Sequence, residues 1–595
     1  MRPTTASPTV AAGGSFLLES RQPEEIFTPE DLSEEQRQIA ATAEQFAREE
    51  ILPRAAAIEA KEPGAMQALL RKAAELGFTA VDIPEEYGGL GMDKVSSTVI
   101  TDHISVLASF STAFGAHVGI ATLPLVWYGT EEQKRRYLPK LATCECIGAY
   151  GLSEASSGSD AMNIRTRAAL SPDGSQYILN GEKQWLTNGG IAGLYTVFAK
   201  IDGEKFSAFL IEHGTPGLTP GAEEHKLGIR GSSTCPLVLA DCRIPKENLL
   251  GEAGKGHHIA FNVLNVGRLK LGVACIGGAR QVLAAMIRYA KERRAFGKSI
   301  AEFGLIQRKI SSTAARLYAA ESMAYRTAGL IDAKLAETGA AQNLDAPRSV
   351  EQYAVECSIL KVYGSEMLWL AADELIATMG GYGYVEEYPA ERYCRDARIN
   401  RIFEGTNEIN RLIITGWLMK QAMTGKLPLL NAIKRVMDEV TAPPSFDGDS
   451  SASEPLAREA AVLAAIRKIA LFAAGVASQR FMTALEEQQE IMADLADMII
   501  HVFALESAQL RARKIVGAGR NTAEAAAAIT GLLADDAMSL AEHAARRVLA
   551  ACGEGDELRT QLAILRRLAR VAPADAVKLS RVAARHCIEV ERYPF

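Results

Sequence analysis

A mainly helical protein with one β domain at its centre is what this sequence predicts, and three observations carry the prediction. Long apolar stripes at helical spacing flank a single stretch, residues 150–256, in which the hydrophobic period shortens toward two. The 595 residues, 48% of them apolar, are too many for one core at roughly 150 residues per domain. A stretch dense in Pro, Ser, Asp and Gly, 441–455, then sets off a second helical region rich in alanine and arginine.

In chain order, residues 1–30 read as a flexible arm, and 31–149 as an N-terminal helical domain. Ser33 with Gln36 can form a capping box, and Ile39, Ala43, Phe46, Ala47 and Ile51 recur near helical spacing up to Pro53. A further helix runs from Met66 to Leu76 and stops at Gly77, before the glycine-rich turn 84–91. Between Asp102 and Glu131 there is no Asp, Glu, Lys or Arg, a length that could cross a bilayer. His103, His117, Pro124 and several hydroxyl residues make it too polar and too broken for lipid, so a buried helix pair is expected.

In residues 150–256, Gln176 to Leu179 followed by Asn180-Gly181 predicts a tight hairpin turn. A second hairpin is expected around Asp202-Gly203, joining Tyr195–Ile201 to Phe206–Ile211. The segment therefore reads as a compact antiparallel domain. Helical patterns return at Ala260–Glu292, Ile306–Leu335, Val350–Met379 and Glu408–Thr424, enough for a four-helix bundle at 257–425 with a polar loop at 337–348. A linker at 426–455 and an additional helical domain at 456–595 complete the chain.

Composition and missing motifs narrow the chemistry. With 72 acids against 65 bases the net charge is −7, which offers no basic field to nucleic acid. Nine cysteines are spread without the density of a secreted framework, and the first fourteen residues lack a signal or transit pattern, so a cytoplasmic chain with free thiols is expected. Gly297-Lys298-Ser299 is no phosphate loop, because Glu292 stands where its first glycine should be. The spacing of Gly251, Gly254 and Gly256 does not fit a dinucleotide fingerprint, Cys144-Glu145-Cys146 and His257-His258 are isolated, and no metal site is predicted. No nucleophile elbow occurs. An organic cofactor working with one or two acids remains.

Four blocks point to which one: Tyr150 to Asp160, Lys183 to Gly190, Glu292 to Lys298, and Gly380 to Tyr384 continuing through Arg395-Asp396 to Phe403-Glu404-Gly405-Thr406-Asn407-Glu408. Together, in this order and spacing over residues 30–425, they resemble the acyl-CoA dehydrogenase family of flavoproteins. The region after 455 and the segment Phe303 to Gln307 resemble its very-long-chain branch. The resemblance implies the family fold, FAD as cofactor, a fatty acyl-CoA substrate, an electron-transfer flavoprotein as oxidant and a homo-oligomer, a dimer being favoured.

The resemblance also implies roles. Tyr150, Leu152, Ser153, Trp185 and Thr187 would line the flavin ring, with Gly381 and Thr406 also at the cofactor, while Arg293 and Phe296 would reach the FAD of a neighbouring subunit. Ser159, Asn265, Arg268 and Gly405 would contact substrate. Glu404 would take the α-proton as hydride leaves the next carbon for flavin N5, giving the trans-2-enoyl-CoA, the first step of fatty-acid β-oxidation. Some relatives carry the base at the position of Gly267, which cannot accept a proton. Gly304 and Ala377 replace glutamines that touch the partner's FAD in many members. Small residues at Ser111, Thr112, Ala113 and Ala116 would leave room for a long acyl chain. An acyl-CoA oxidase, or a scaffold of the same fold with vestigial catalysis, stays as an alternative. The 456–595 region reads as a dimer-stabilising layer, a basic face that touches membrane phosphates, or a solvated surface.

Overall fold

The computed structural model describes residues 10–339, 346–441 and 455–595. The tip of the expected 337–348 loop and most of the 441–455 stretch lie outside the described residues, as do the first nine residues of the arm.

The first layer is helical: α1 (Glu34–Phe46), α2 (Ala55–Glu59), α3 (Ala65–Glu75), α4 (Lys94–Ile104), α5 (Ala108–Gly115), α6 (Leu123–Tyr128) and α7 (Glu131–Ala142). The Ser33–Gln36 capping box starts α1 as its spacing predicts, and Thr130 with Gln133 starts α7 in the same way. Phe46, Phe78, Phe110 and Phe114 form the centre of this layer's core. The uncharged stretch is a broken helical run in which a π-turn at Ala116–Ala121 separates α5 from α6, with Pro124 in the first turn of α6. This run, α8 (Gly256–Glu292) and Ala457–Glu487 are long and apolar enough to cross a membrane, and their most apolar windows are 78%, 83% and 61% buried inside the fold.

The β domain comprises β1 (Gly148–Gly151), β2 (Arg167–Leu170), β3 (Gln176–Thr187), β4 (Leu194–Ile201), β5 (Lys205–Glu212), β6 (Leu218–Pro220), β7 (Thr234–Pro245) and β8 (Leu249–Leu250). The sheet runs β6-β7-β3-β2-β4-β5-β8, with β1 added beside β4. It is not purely antiparallel as expected, because β4 pairs in parallel with both β1 and β2. The Asp202-Gly203 hairpin forms between β4 and β5. The hairpin expected at Asn180-Gly181 does not form. These residues lie inside the long strand β3, at a register shift against β7, and Gly181 has φ 151°. A side chain there would run into Thr166, so the glycine accommodates a bulge and a close crossing, and the turn falls instead at 171–175.

After α8 come a short ribbon, β9 (Arg294–Ala295) and β10 (Lys298–Ser299), then α9 (Gly304–Thr338), α10 (Ala346–Glu351), α11 (Ala354–Met379), α12 (Ala390–Ala397) and α13 (Asn407–Met423). α8, α9, α11 and α13 form the bundle. α8 and α11 approach at paired glycines: a Cβ on Gly364 would lie 3.1 Å from the Gly272 carbonyl oxygen, and one on Gly272 2.9 Å from that of Leu360.

Two expectations for the flanks are corrected. The arm is folded down from about Gly13 onward: Phe16 and Leu17 are buried, Phe16 stacks near Phe503 at 4.8 Å, and the Gly14 N–H donates to Glu356. Its apolar residues find a groove between the bundle and the C-terminal helices, which composition could not reveal. The expected linker contains α14 (Leu429–Thr441), packed on α15 (Ala457–Phe481). The chain ends with α16 (Gln489–Gly517), α17 (Ala523–Cys552), α18 (Gly555–Leu568) and α19 (Ala576–Val590). One continuous hydrophobic core runs from the bundle into these helices. The nine cysteines are all free.

Candidate active site

A cavity opens between α4, α5, α8 and the segment before α13. It is lined by Thr101, Ser105, Ser111, Thr112, Gly115 and Ala116 on one side, by Gly267, Leu271, Ala274, Cys275 and Gly278 of α8 on another, and by Thr187, Phe403 and Glu404. Ala113, expected with its small neighbours, does not line it. That residue is buried, and its carbonyl accepts from Asn188.

Glu404 is the one acidic residue of the Phe403–Thr406 loop, and the loop's shape is what turns it inward. Glu404 and Gly405 both adopt left-handed conformations, φ 57° and 80°. Glycine tolerates this freely and glutamate pays about 1 kcal/mol or more. Thr406 then caps α13, accepting from the Ile409 N–H at 3.2 Å. The Asn410 side chain donates to the carbonyls of Glu404, Gly405 and Thr406 at 3.3, 2.9 and 3.0 Å, and Arg268 Nε adds 3.3 Å to Glu404 O. The loop is thus gripped by its backbone while the carboxylate is left free. Glu404 Oε2 is buried without a hydrogen-bond partner. Burial pushes its pKa up to about 7, against the opposing pull of Arg268 and Lys361.

Gly267 faces this carboxylate: a Cβ there would lie 2.6 Å from Glu404 Oε2. The position that cannot itself carry a base is therefore also the one that makes space for Glu404. Tyr150 is buried nearby, its hydroxyl likewise unpartnered, and its pKa is raised by burial and then by the Glu404 charge.

The β domain supplies a second wall. A bulge in β3 leaves Trp185 at φ 64° and 59% exposed, while Thr187 two residues on lines the cavity. The Gln184 N–H donates to Ser153 O at 2.9 Å, tying the segment after β1 to this bulge. Beneath it a buried ion pair acts as a strut. Lys183 donates to Glu154 at 2.7 Å and to Leu152 O at 3.3 Å, and Glu154 accepts from the Arg165 and Thr166 amides. Burial brings the Lys183 pKa down to about 8. Sequence reasoning missed this pair, although Glu154 and Lys183 lie inside two of the motif blocks.

Asn265 and Arg268 are together, Arg268 Nη1 donating to Asn265 Oδ1 at 3.0 Å, both buried on α8. Arg268 holds the base loop here, a contact the sequence did not suggest. Ser159 lies on an exposed bend and is not a lining residue of the cavity. Arg293 and Gly381 meet at a different, shallower cleft with Tyr289, Ala377 and Tyr382, where the guanidinium lies 5.9 Å from the Tyr382 ring. Phe296 is 94% exposed at φ 51°, and Gly304 has open space before it. No group of metal-binding residues occurs among the described residues.

A planar ring cofactor with polar edges fits this wall. The exposed indole offers an apolar face beside the polar edge at Ser153 and Thr187, and the carboxylate stands free at the cavity wall.

Family models described as the acyl-CoA dehydrogenase N-terminal, middle and C-terminal domains match residues 33–145, 149–242 and 254–419, and another C-terminal model matches 465–567. A probable acyl-CoA dehydrogenase of Bacillus subtilis is 45% identical over 588 residues, 98% of each chain. The very-long-chain specific mitochondrial acyl-CoA dehydrogenase of Homo sapiens is 39% identical over 350 residues, 57% of this chain and 51% of that protein. The crystal structure of an acyl-CoA dehydrogenase complexed with FAD from Bacillus anthracis superposes with a TM-score of 0.95 at 44% identity, covering 98% of this chain and all of that one. Butyryl-CoA dehydrogenase from Megasphaera elsdenii gives 0.59 at 33% identity, covering 65% of this chain and 99% of that one.

Proposed function

The chain belongs to the acyl-CoA dehydrogenase family, and on that premise we propose that it oxidises a long-chain fatty acyl-CoA to the trans-2-enoyl-CoA with bound FAD. The observation that carries the reading is the free, buried carboxylate oxygen of Glu404 at the wall of an apolar cavity.

Tyr150, Leu152, Ser153, Trp185 and Thr187 would hold the cofactor, which when bound supplies the acceptor for the hydride leaving the β-carbon. Arg293 and Gly381, which meet at a separate surface cleft, and the exposed Phe296 would reach the cofactor of a second copy of the chain. The acyl chain enters the cavity past Gly267, with its α-carbon against Glu404. The carboxylate accepts the α-proton, and its raised basicity follows from the apolar surroundings that shut water out. The thioester oxygen gathers negative charge as the proton leaves, and the Glu404 backbone N–H is the donor we assign to it. Gly115 and Gly278 keep the far walls low, which supports a long substrate.

Electron-transfer flavoprotein as oxidant, a dimer and a cytoplasmic location belong to the same proposal. Anaerobic titration of the purified holoprotein with butanoyl-, octanoyl- and hexadecanoyl-CoA tests it. Hexadecanoyl-CoA should bleach the flavin absorbance fastest, and bleaching by none of the three would defeat the reading. Substrate-dependent hydrogen peroxide in air would move the assignment to an oxidase.

A further inference from the structure

Lys361 has no place in the chemistry so far, yet it is a fully buried lysine next to the base. It sits on α11, three residues before Gly364 of the glycine crossing that draws α11 against α8. That crossing brings Lys361 from one helix and Arg268 from the other onto the same short loop. The Lys361 ammonium donates to Gly405 O at 2.6 Å and to Asn407 Oδ1 at 2.7 Å. Asn407 is held in turn, its amide donating to Ser365 Oγ and Glu366 Oε1 at 3.0 Å each. A buried ammonium is costly to desolvate, and an amide could have satisfied these two acceptors at lower cost. What a lysine adds is positive charge, and the charge acts on Glu404.

We propose that Lys361 is a positioning residue for the base: it clamps the left-handed Gly405 from behind, so that the Glu404 carboxylate faces the cavity with a fixed positive charge beside it. The inference rests on the dehydrogenation proposed above. The charged and titratable groups facing Lys361 are Arg268 and Cys275 on α8, Glu404 on the loop and Glu408 on α13. Burial lowers the Lys361 pKa to about 8, opposed by Cys275 and Glu404. The clamp is therefore charged below about pH 8, and above it the neutral amine keeps two N–H donors for Gly405 O and Asn407 Oδ1 but no longer sets a positive charge beside Glu404. Glu404 is an active base only above about pH 7, so flavin reduction should show a narrow, bell-shaped pH profile.

The test uses the holoprotein and the variants Lys361→Met, Lys361→Arg and Asn407→Asp. Lys361→Met should keep its FAD and bind hexadecanoyl-CoA within about threefold of the parent, yet reduce flavin more slowly by on the order of 100-fold, because the base is no longer held in line. Lys361→Arg cannot lose its proton in this range, so the alkaline limb should disappear. The Glu404 carboxyl band, read as the infrared difference from Glu404→Gln, should titrate about one pH unit higher in Lys361→Met. Should Lys361→Met fail to fold, Asn407→Asp keeps the side-chain shape, gives up the donor to Glu366 and partners the ammonium with a carboxylate, and the added negative charge should move the same band upward. The inference is overturned if the band stays put in the variants obtained, or if Lys361→Met loses rate only in proportion to lost FAD. If the parent protein itself is not reduced by any acyl-CoA, the proposed function fails instead.

Discussion

At the scale of single residues, Glu404 combines a left-handed backbone, a carboxylate oxygen without a partner and a raised pKa. Glu404→Gln keeps the shape and removes the proton acceptor. This variant should hold FAD and acyl-CoA normally and lose flavin reduction by about three to four orders of magnitude, as expected for deleting a general base; stopped-flow absorbance at the flavin band checks it, and bleaching at the parental rate would contradict the role. The sign of the pH effect follows from the same carboxyl. Below about pH 7 it is increasingly protonated and cannot accept a proton, so the reduction rate should fall about tenfold per unit on the acid side. Glu404 was legible in the sequence through its motif. Its grip by Asn410, Arg268 and Lys361 was not, because those residues lie far apart along the chain or bond backbone atoms that no pattern encodes.

At the scale of elements, α5 shapes the cavity through a residue that is missing a side chain. A Cβ on Gly115 would meet nothing within 4 Å, and the residue lines the cavity, so Gly115→Leu should project into it without disturbing the helix. The ratio of kcat/KM for hexadecanoyl- over octanoyl-CoA should fall by about tenfold or more, the usual worth of a few methylenes in an apolar slot; an unchanged ratio would show that the chain runs elsewhere. In the β domain, Glu154→Ala would strand Lys183 in the interior. Leaving a buried charge unpaired costs about 3–5 kcal/mol, so a clearly lower Tm and weaker FAD retention are expected in thermal and spectral titrations. The Asn180-Gly181 pair shows how local reading fails at this scale. The dipeptide suits a turn, but pairing of β3 with both β2 and β7 outweighs that preference and turns the glycine into a bulge.

At the scale of the whole molecule, a buried ion network ties the parts together. Arg511 of α16, with no exposed surface, pairs with Glu30 of the arm and Glu321 of α9, while Arg280 of α8 joins Glu321 to Asp102 of α4. The Tyr593 hydroxyl, near the chain's end, donates to Glu321 at 2.8 Å. Burial alone would raise the Glu321 pKa, but Arg511 and Arg280 outweigh it and hold it low. A depressed carboxyl contributes stability above its ordinary value of 4.5 and loses it as pH falls through the lowered one. Arg511→Met should therefore lower Tm at neutral pH and move acid unfolding to higher pH, as followed by circular dichroism; an unchanged acid midpoint would show that the network carries no such linkage.

The sequence by itself determined the alternation of helical and β regions, the helices of the bundle and the motif residues. The elements follow from periodicity and caps, which are local, and the motif residues from their resemblance to a known family. Only the tertiary structure decided that the arm is packed, that the last helices share one core with the bundle, and that Gly267 makes room for the base. The same holds for the two cations from α8 and α11 that converge on its loop. Each of these depends on which surfaces meet after folding, and residues brought together from tens to hundreds of positions apart leave no periodic trace along the chain.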